Sequence, residues 1–169
     1  MFIQQKLVHH FKSQLVSTPR GRAHVLNQIA DAEDNGESAI FDALIQRVED
    51  PKLQKMIRRH ADDEVRHGEL FRACVQRQGV EPPPLLEDGK LLTVMESKLG
   101  SFHSANIETD EDVMRAFLVL QALEERAREQ FVQDIPVFDA IDPETAQVFR
   151  EVAKDEERHL KYCHAISRR

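Results

Sequence analysis

Two seven-residue segments of this chain carry one pattern. Ala61-Asp62-Asp63-Glu64-Val65-Arg66-His67 and Ala153-Lys154-Asp155-Glu156-Glu157-Arg158-His159 both read A-x-D-E-x-R-H. Residues three apart on a helix share a face, so Glu64 with His67, and Glu156 with His159, each aim a carboxylate and an imidazole in one direction. Carboxylates bridge hard cations, and imidazoles complete the shells of iron, manganese or zinc. Two such pairs, each inside a long helical pattern, point to a bundle holding two metal ions between four helices.

The surrounding periodicity says which elements must hold these residues. In the first copy the apolar stripe is Leu53, Met56/Ile57, Ala61, Glu64, Gly68 and Phe71; in the second it is Phe149, Val152/Ala153, Glu156, Leu160 and Cys163. Both Glu-x-x-His pairs therefore lie on a face meant for the core, where an unpaired charge is costly. Asp50-Pro51 and Asp142-Pro143 each read as an N-cap with proline at the first helical position. They start helix B (51–78) and helix D (143–167). Helix A is expected over 21–49, with Leu26, Ile29, Ala30, Ile40, Phe41, Leu44 and Val48 inward. Helix C is expected over 110–134, with Val113, Phe117, Leu120, Ala127 and Phe131 inward and Pro136 ending it. Gly79 closes helix B, and residues 80–109 form a long crossover with a short helix near Leu91 to Leu99. Ile3, Leu7, Phe11 and Leu15 make one stripe of an added N-terminal helix within 1–18, broken by Thr18-Pro19-Arg20-Gly21. The expected fold is all-α and a single domain: two antiparallel helix hairpins joined by the crossover, in the ferritin-like four-helix topology.

A site of this kind needs one further glutamate from each of the other two helices. On helix C, Glu124 falls on the stripe of Phe117, Leu120 and Phe131, and Glu125 points away. On helix A, Glu37 lies at the middle of the stripe and at the level of Glu64, with Glu33 and Asp34 as alternatives. The candidate ligand set is thus Glu37, Glu64, His67, Glu124, Glu156 and His159. Asp63 and Asp155 are placed to receive the second N–H of the ligand imidazoles, across to the opposite hairpin, and Arg66 and Arg158 to pair with carboxylates. His60 is read as a core-edge or outer-shell histidine, and His9, His10, His24, His103 and His164 as surface residues. Cys74 and Cys163 are read as small buried hydrophobes. Tyr162 is placed off the metal face.

The 169 residues suit one domain with a real core. Hydrophobic residues at 41% and charged residues at 31% fit amphipathic helices and exclude disorder. A net charge of -7 disfavours a nucleic-acid or anionic-membrane surface. No apolar run reaches bilayer length, the N-terminus lacks the apolar core of a signal peptide, and two cysteines make no disulfide scaffold. These features together give a cytoplasmic expectation. The stripe on residues 2–16 needs cover, either by capping the bundle or by joining a homodimer.

On these motifs the chain resembles the ferritin-like diiron-carboxylate superfamily, and rubrerythrin-like proteins most of all. The resemblance covers 22–166, with D-E-x-R-H its most specific part, and Gly36-Glu37-Ser38 looks like the Gly-Glu-Ser at the first metal glutamate of rubrerythrins. It implies a centre of two iron ions, with manganese or zinc also acceptable to the donors, and chemistry with dioxygen or hydrogen peroxide. Ala127 stands where rubrerythrin peroxidases carry a further glutamate, and no Cys-x-x-Cys pair of a rubredoxin module is present. Phe71 stands where ribonucleotide reductase radical subunits carry a tyrosine. The leading expectation is a di-iron oxidoreductase supplied by an external electron donor. Iron storage or scavenging comes second, and a structural or zinc-binding bundle third.

Overall fold

The computed structural model describes residues 10–35, 37–85 and 107–167. Every regular element among them is helical: a helical stretch over 10–16, then α1 (Pro19–Asn35), α2 (Ser38–Arg47), α3 (Pro51–Arg77), α4 (Asp110–Asp139) and α5 (Pro143–Ser167). The starts follow the caps in the sequence. Asp50 accepts from the backbone N–H of Lys52 at 2.8 Å and of Leu53 at 3.3 Å. Asp142 accepts from Thr145 N at 3.2 Å. Thr109 and Asp112 form a reciprocal capping box at the head of α4. Gly79, just beyond α3, takes φ +66°, a left-handed backbone that favours glycine.

Three expected boundaries change. Helix A is two helices, because the chain leaves helical geometry between Asn35 and Ser38, with Glu37 at φ −121°, ψ −2°. Asn35, where the first helix ends, is a weak helix former. The first half also begins at Pro19, so the expected breaker serves as a helix start. Helix C does not stop at Pro136 but runs through it to Asp139, because Val137 and Phe138 are buried and hold the last turn in place. The expected short helix at Leu91 to Leu99 lies outside the described residues, as do Ile3 and Leu7. Of the N-terminal stripe, Phe11 is 63% and Leu15 47% exposed, and Val16 is the residue that enters the core.

Long-range pairs give the arrangement. Along α1 and α3, Arg22 Nε bonds Gln78 at 2.6 Å and Arg72 bonds Asp34, so the two run antiparallel. Along α4 and α5, Gln121 meets Ser167, Glu125 meets His164 and Asp139 meets Arg150, again antiparallel. The two hairpins meet through α3 against α5 and α2 against α4. The last turn of α3 sits at one end of the bundle, where Gln78 bonds Asp142 at 2.9 Å. The residues entering α4 sit at the other end, where Arg47 bonds the Glu108 carbonyl at 3.0 Å. The connection between α3 and α4 therefore joins opposite ends. No helix among the described residues is long and apolar enough to cross a membrane.

The core has two apolar parts. One gathers Leu26, Ile29, Phe71, Phe131, Phe138 and Phe149; the other gathers Ile40, Phe41, Leu44, Ile57, Phe117, Leu120 and Cys163. Cys74 and Cys163 are both fully buried and free. Between the two parts lies a layer of buried glutamates and histidines.

Gly68 lets α1 approach α3 at that layer. A Cβ there would stand 2.9 Å from the Asp34 Cβ and 3.2 Å from the Ala30 carbonyl. Gly68→Ala is expected to lower the denaturant midpoint, by about 1–3 kcal/mol of overpacking, although alanine is the better helix former. A midpoint at or above that of the wild type would show that the interface has room to spare.

Candidate metal centre

The repeated pattern sits on α3 and α5, which run antiparallel, and the two copies face each other. His67 and His159 turn Nδ1 inward and Nε2 outward. Outward, His67 Nε2 lies 3.4 Å from Asp155 Oδ2, and His159 Nε2 lies 3.3 Å from Asp63 Oδ2. Each aspartate thus serves the histidine of the other copy, across the hairpins as the sequence predicts. Arg158 holds Asp63 at 2.6 Å and also bonds Asp155; Arg66 bonds Asp155 and reaches Glu151 at 3.0 Å. These ion pairs hold both Asp63 and Asp155 below their ordinary carboxylate range: burial works against that, but the imidazole and arginine partners outweigh it.

Inward, the carboxylates converge. His67 Nδ1 is 3.2 Å from Glu33 Oε2, 3.2 Å from Glu156 Oε1 and 3.8 Å from Glu64 Oε2. His159 Nδ1 is 3.2 Å from Glu64 Oε1 and 3.7 Å from both Glu124 Oε2 and Glu156 Oε2. Glu64 and Glu156 each give one oxygen to the His67 side and one to the His159 side. Two groups result, each able to hold a metal ion: Glu33, Glu64, His67 and Glu156; and His60, Glu64, Glu124 and His159. All seven residues are buried.

The candidate residues from the sequence therefore divide as follows. Glu64, His67, Glu124, Glu156 and His159 come together. On the first hairpin Glu33, one of the two alternatives, enters a group, while Glu37 stays outside both. Glu37 is half-buried at the head of α2, with Oε2 inside and without a hydrogen-bond partner. The helix break accounts for the exchange, since α1 ends before Glu37 and the single-helix register does not extend across it. Asp34 bonds Arg72 instead.

Two further residues lie close to these groups. His60, read as a core-edge or outer-shell histidine, is 1% exposed, and its Nε2 lies 2.5 Å from Glu124 Oε1 and 3.2 Å from Glu64 Oε1. Its position one turn before Glu64 was the available signal. Tyr162, placed off the metal face, is buried, and its hydroxyl lies 2.5 Å from His60 Nδ1. It follows His159 by three residues, so the same spacing rule could have found it. Of the expected surface histidines, His10 is exposed, His24 and His164 are half-buried, and His9 and His103 lie outside the described residues.

Few of the inward atoms point at each other as hydrogen-bond partners. His60 Nε2, His67 Nδ1, His159 Nδ1 and one oxygen each of Glu33, Glu64, Glu124 and Glu156 are buried without one. Such atoms are expensive to leave unmatched, and all of them face a common interior. The donor set of carboxylates and imidazoles is one that first-row divalent metals accept. Charge points the same way. Burial, with Glu64 and Glu156 nearby, raises Glu33 and Glu37 well above the usual carboxylate range, and burial with Glu156 does the same to Glu124. Burial would raise Glu64 too, but the imidazoles of His159, His60 and His67 hold it well below. Burial would lower His67 and His159, yet Glu156 and its neighbours take them up to about 12 and about 9. Burial lowers His60, with the His159 charge adding to it. Protons retained on His67, His159, Glu33 and Glu124 lessen the cost of burying these groups together.

Comparisons of the chain with protein-family models, with curated proteins and with solved structures return no match.

His159 is raised on folding from its ordinary 6.5 to about 9, so its contribution to stability is complete below the lower value and lost through the higher one. Chelator-treated protein is expected to lose on the order of 1–3 kcal/mol between about pH 6.5 and 9, read from its thermal midpoint. A midpoint that rises across that window would refute the proton-holding site.

Proposed function

We propose that this chain binds two iron ions in a ferritin-like bundle and uses them for redox chemistry with dioxygen or hydrogen peroxide. The observation that carries the reading is the pair Glu64 and Glu156, each with one oxygen toward His67 and the other toward His159. That is the arrangement expected of carboxylates shared between two ions, with Glu33 and Glu124 closing the two sides. The two antiparallel hairpins, joined between opposite ends, support the topology. Iron held there would supply one-electron chemistry to a small oxygen species, and an external donor would return the electrons.

The chain's own residues have separate tasks in this reading. Glu33, Glu64, His67 and Glu156 would hold one ion; Glu64, Glu124, Glu156 and His159 would hold the other. Asp63 and Asp155 orient the two imidazoles through their outer nitrogens and increase their basicity. Phe41 on one side and Phe71 with Phe149 on the other keep bulk water from the polar layer. Glu37, raised by burial and with its Oε2 buried and without a hydrogen-bond partner, stands at the edge as a carboxyl able to hold or release a proton.

The test is anaerobic loading of ion-free protein with ferrous iron, then exposure to dioxygen. About two irons retained per chain, with ferric absorbance that stops growing at that loading, are the expected result. Glu64→Ala and Glu156→Ala should each lose retention and absorbance while keeping the helical circular dichroism. Failure to retain iron would overturn the proposal. Absorbance that keeps growing with many irons per chain would replace it with iron storage.

A further inference from the structure

The repeated pattern builds a near-symmetric site, and two residues outside it break the symmetry. Counting from the ligand pair, His60 precedes Glu64 by four, and the same place in the second copy is Val152; Tyr162 follows His159 by three, and its counterpart is Leu70. Val152 and Leu70 belong to the apolar part of the core around Phe71 and Phe149. His60 and Tyr162 instead meet each other across the α3–α5 contact, hydroxyl to Nδ1, at 2.5 Å. One side of the site ends in hydrocarbon, and the other ends in a buried imidazole.

That imidazole is positioned to bind. The His60 ring stacks on His159 with centroids 3.7 Å apart and takes the edge of Phe41 at 4.6 Å, so it has little room to turn. With Nδ1–H donating to the Tyr162 oxygen, the Nε2 lone pair is left to face the Oε1 atoms of Glu64 and Glu124, at 3.2 and 2.5 Å. A phenol oxygen behind a ligating imidazole fixes its tautomer, as a carboxylate or carbonyl does elsewhere.

We propose that His60, anchored by Tyr162, is a metal ligand, so that the centre has two unlike halves: one with two imidazoles (His60 and His159, beside Glu64, Glu124 and the shared Glu156) that prefers a nitrogen-seeking ion such as Co2+, and one with a single imidazole (His67, beside Glu33, Glu64 and Glu156) that takes Mn2+. The inference rests on the dinuclear reading above. Its chemical basis is that imidazole donors favour the later first-row ions, whereas carboxylates suit manganese.

The experiment gives ion-free protein one equivalent each of Co2+ and Mn2+ without oxygen and reads the species by native mass spectrometry. Equal halves would give a roughly 1:2:1 mixture of di-cobalt, mixed and di-manganese chains; unlike halves give mostly the mixed species. The wild type is expected to be mostly mixed. His60→Ala should return the distribution toward the statistical one and weaken cobalt binding by about tenfold or more. Tyr162→Phe, which keeps the ring, should shift it the same way by less. A statistical wild type, or a mixed species unchanged in both variants, would overturn the assignment and leave the dinuclear reading intact. A chain that never takes up two ions would overturn both.

Discussion

The constraint that governs this bundle is charge in its middle. Glu33, Glu64, Glu124 and Glu156, with Glu37 at their edge, share a water-poor layer with His60, His67 and His159. Carboxylates outnumber imidazoles, and one of the imidazoles is driven toward its neutral form by burial. A core of this size gains more from hydrophobic residues of equal volume than from buried ion pairs. The layer therefore works against the stability that Phe71, Phe117 and Phe149 supply above and below it. Protons on His67, His159, Glu33 and Glu124 relieve the cost, and cations would relieve it more fully.

Holding unmatched groups apart requires a rigid frame, and the frame is the outer ring of the repeat. Asp63 and Asp155 cross between copies, each fixed by both Arg66 and Arg158. Because α3 and α5 run antiparallel, contacts at residues 67/155, 63/159 and 60/162 succeed one another along one seam. Most of what joins the two hairpins at this level is polar and directional. Rotation of α3 or α5 by one residue would break all of these contacts together, so the inner oxygens cannot drift from their places. The cost of burying charge is met by a network in which nearly every outer atom has a partner and the unpartnered atoms all lie inside.

Much of this was legible in the chain because it is periodic. A spacing of three within one pattern, repeated in a second helix, selects Glu64, His67, Glu156 and His159 without reference to anything distant, and the Asp-Pro caps mark where those helices start. Glu124 follows from a clean apolar stripe. What was not legible depends on places where one helical register fails. The break before Ser38 makes a single helical wheel over 21–49 meaningless across it, which is why Glu33 rather than Glu37 enters a group. Pro136 shows the opposite failure: a local breaker loses to the burial of Val137 and Phe138. Phe11 and Leu15 show a third, since a stripe of apolar residues states a need for cover without saying where the cover comes from.

The contact of His60 with Tyr162 is not legible for a different reason, and it bears on how the site is built. Each is ordinary when judged against its own helix: a histidine one turn from a ligand, and a tyrosine at the flank of a stripe. Their meaning lies in the pair, which forms only because α3 and α5 run antiparallel and bring residue 60 level with residue 162. A repeat read as a repeat predicts two like halves, and it is silent about any residue it does not contain. The differences between Val152 and His60, and between Leu70 and Tyr162, are invisible to the pattern, yet they set how many nitrogens each half offers. Duplication of one pattern gives two facing groups of carboxylates and imidazoles. In the dinuclear reading proposed above, departures from the pattern, placed where the copies touch, are what make the two groups unlike.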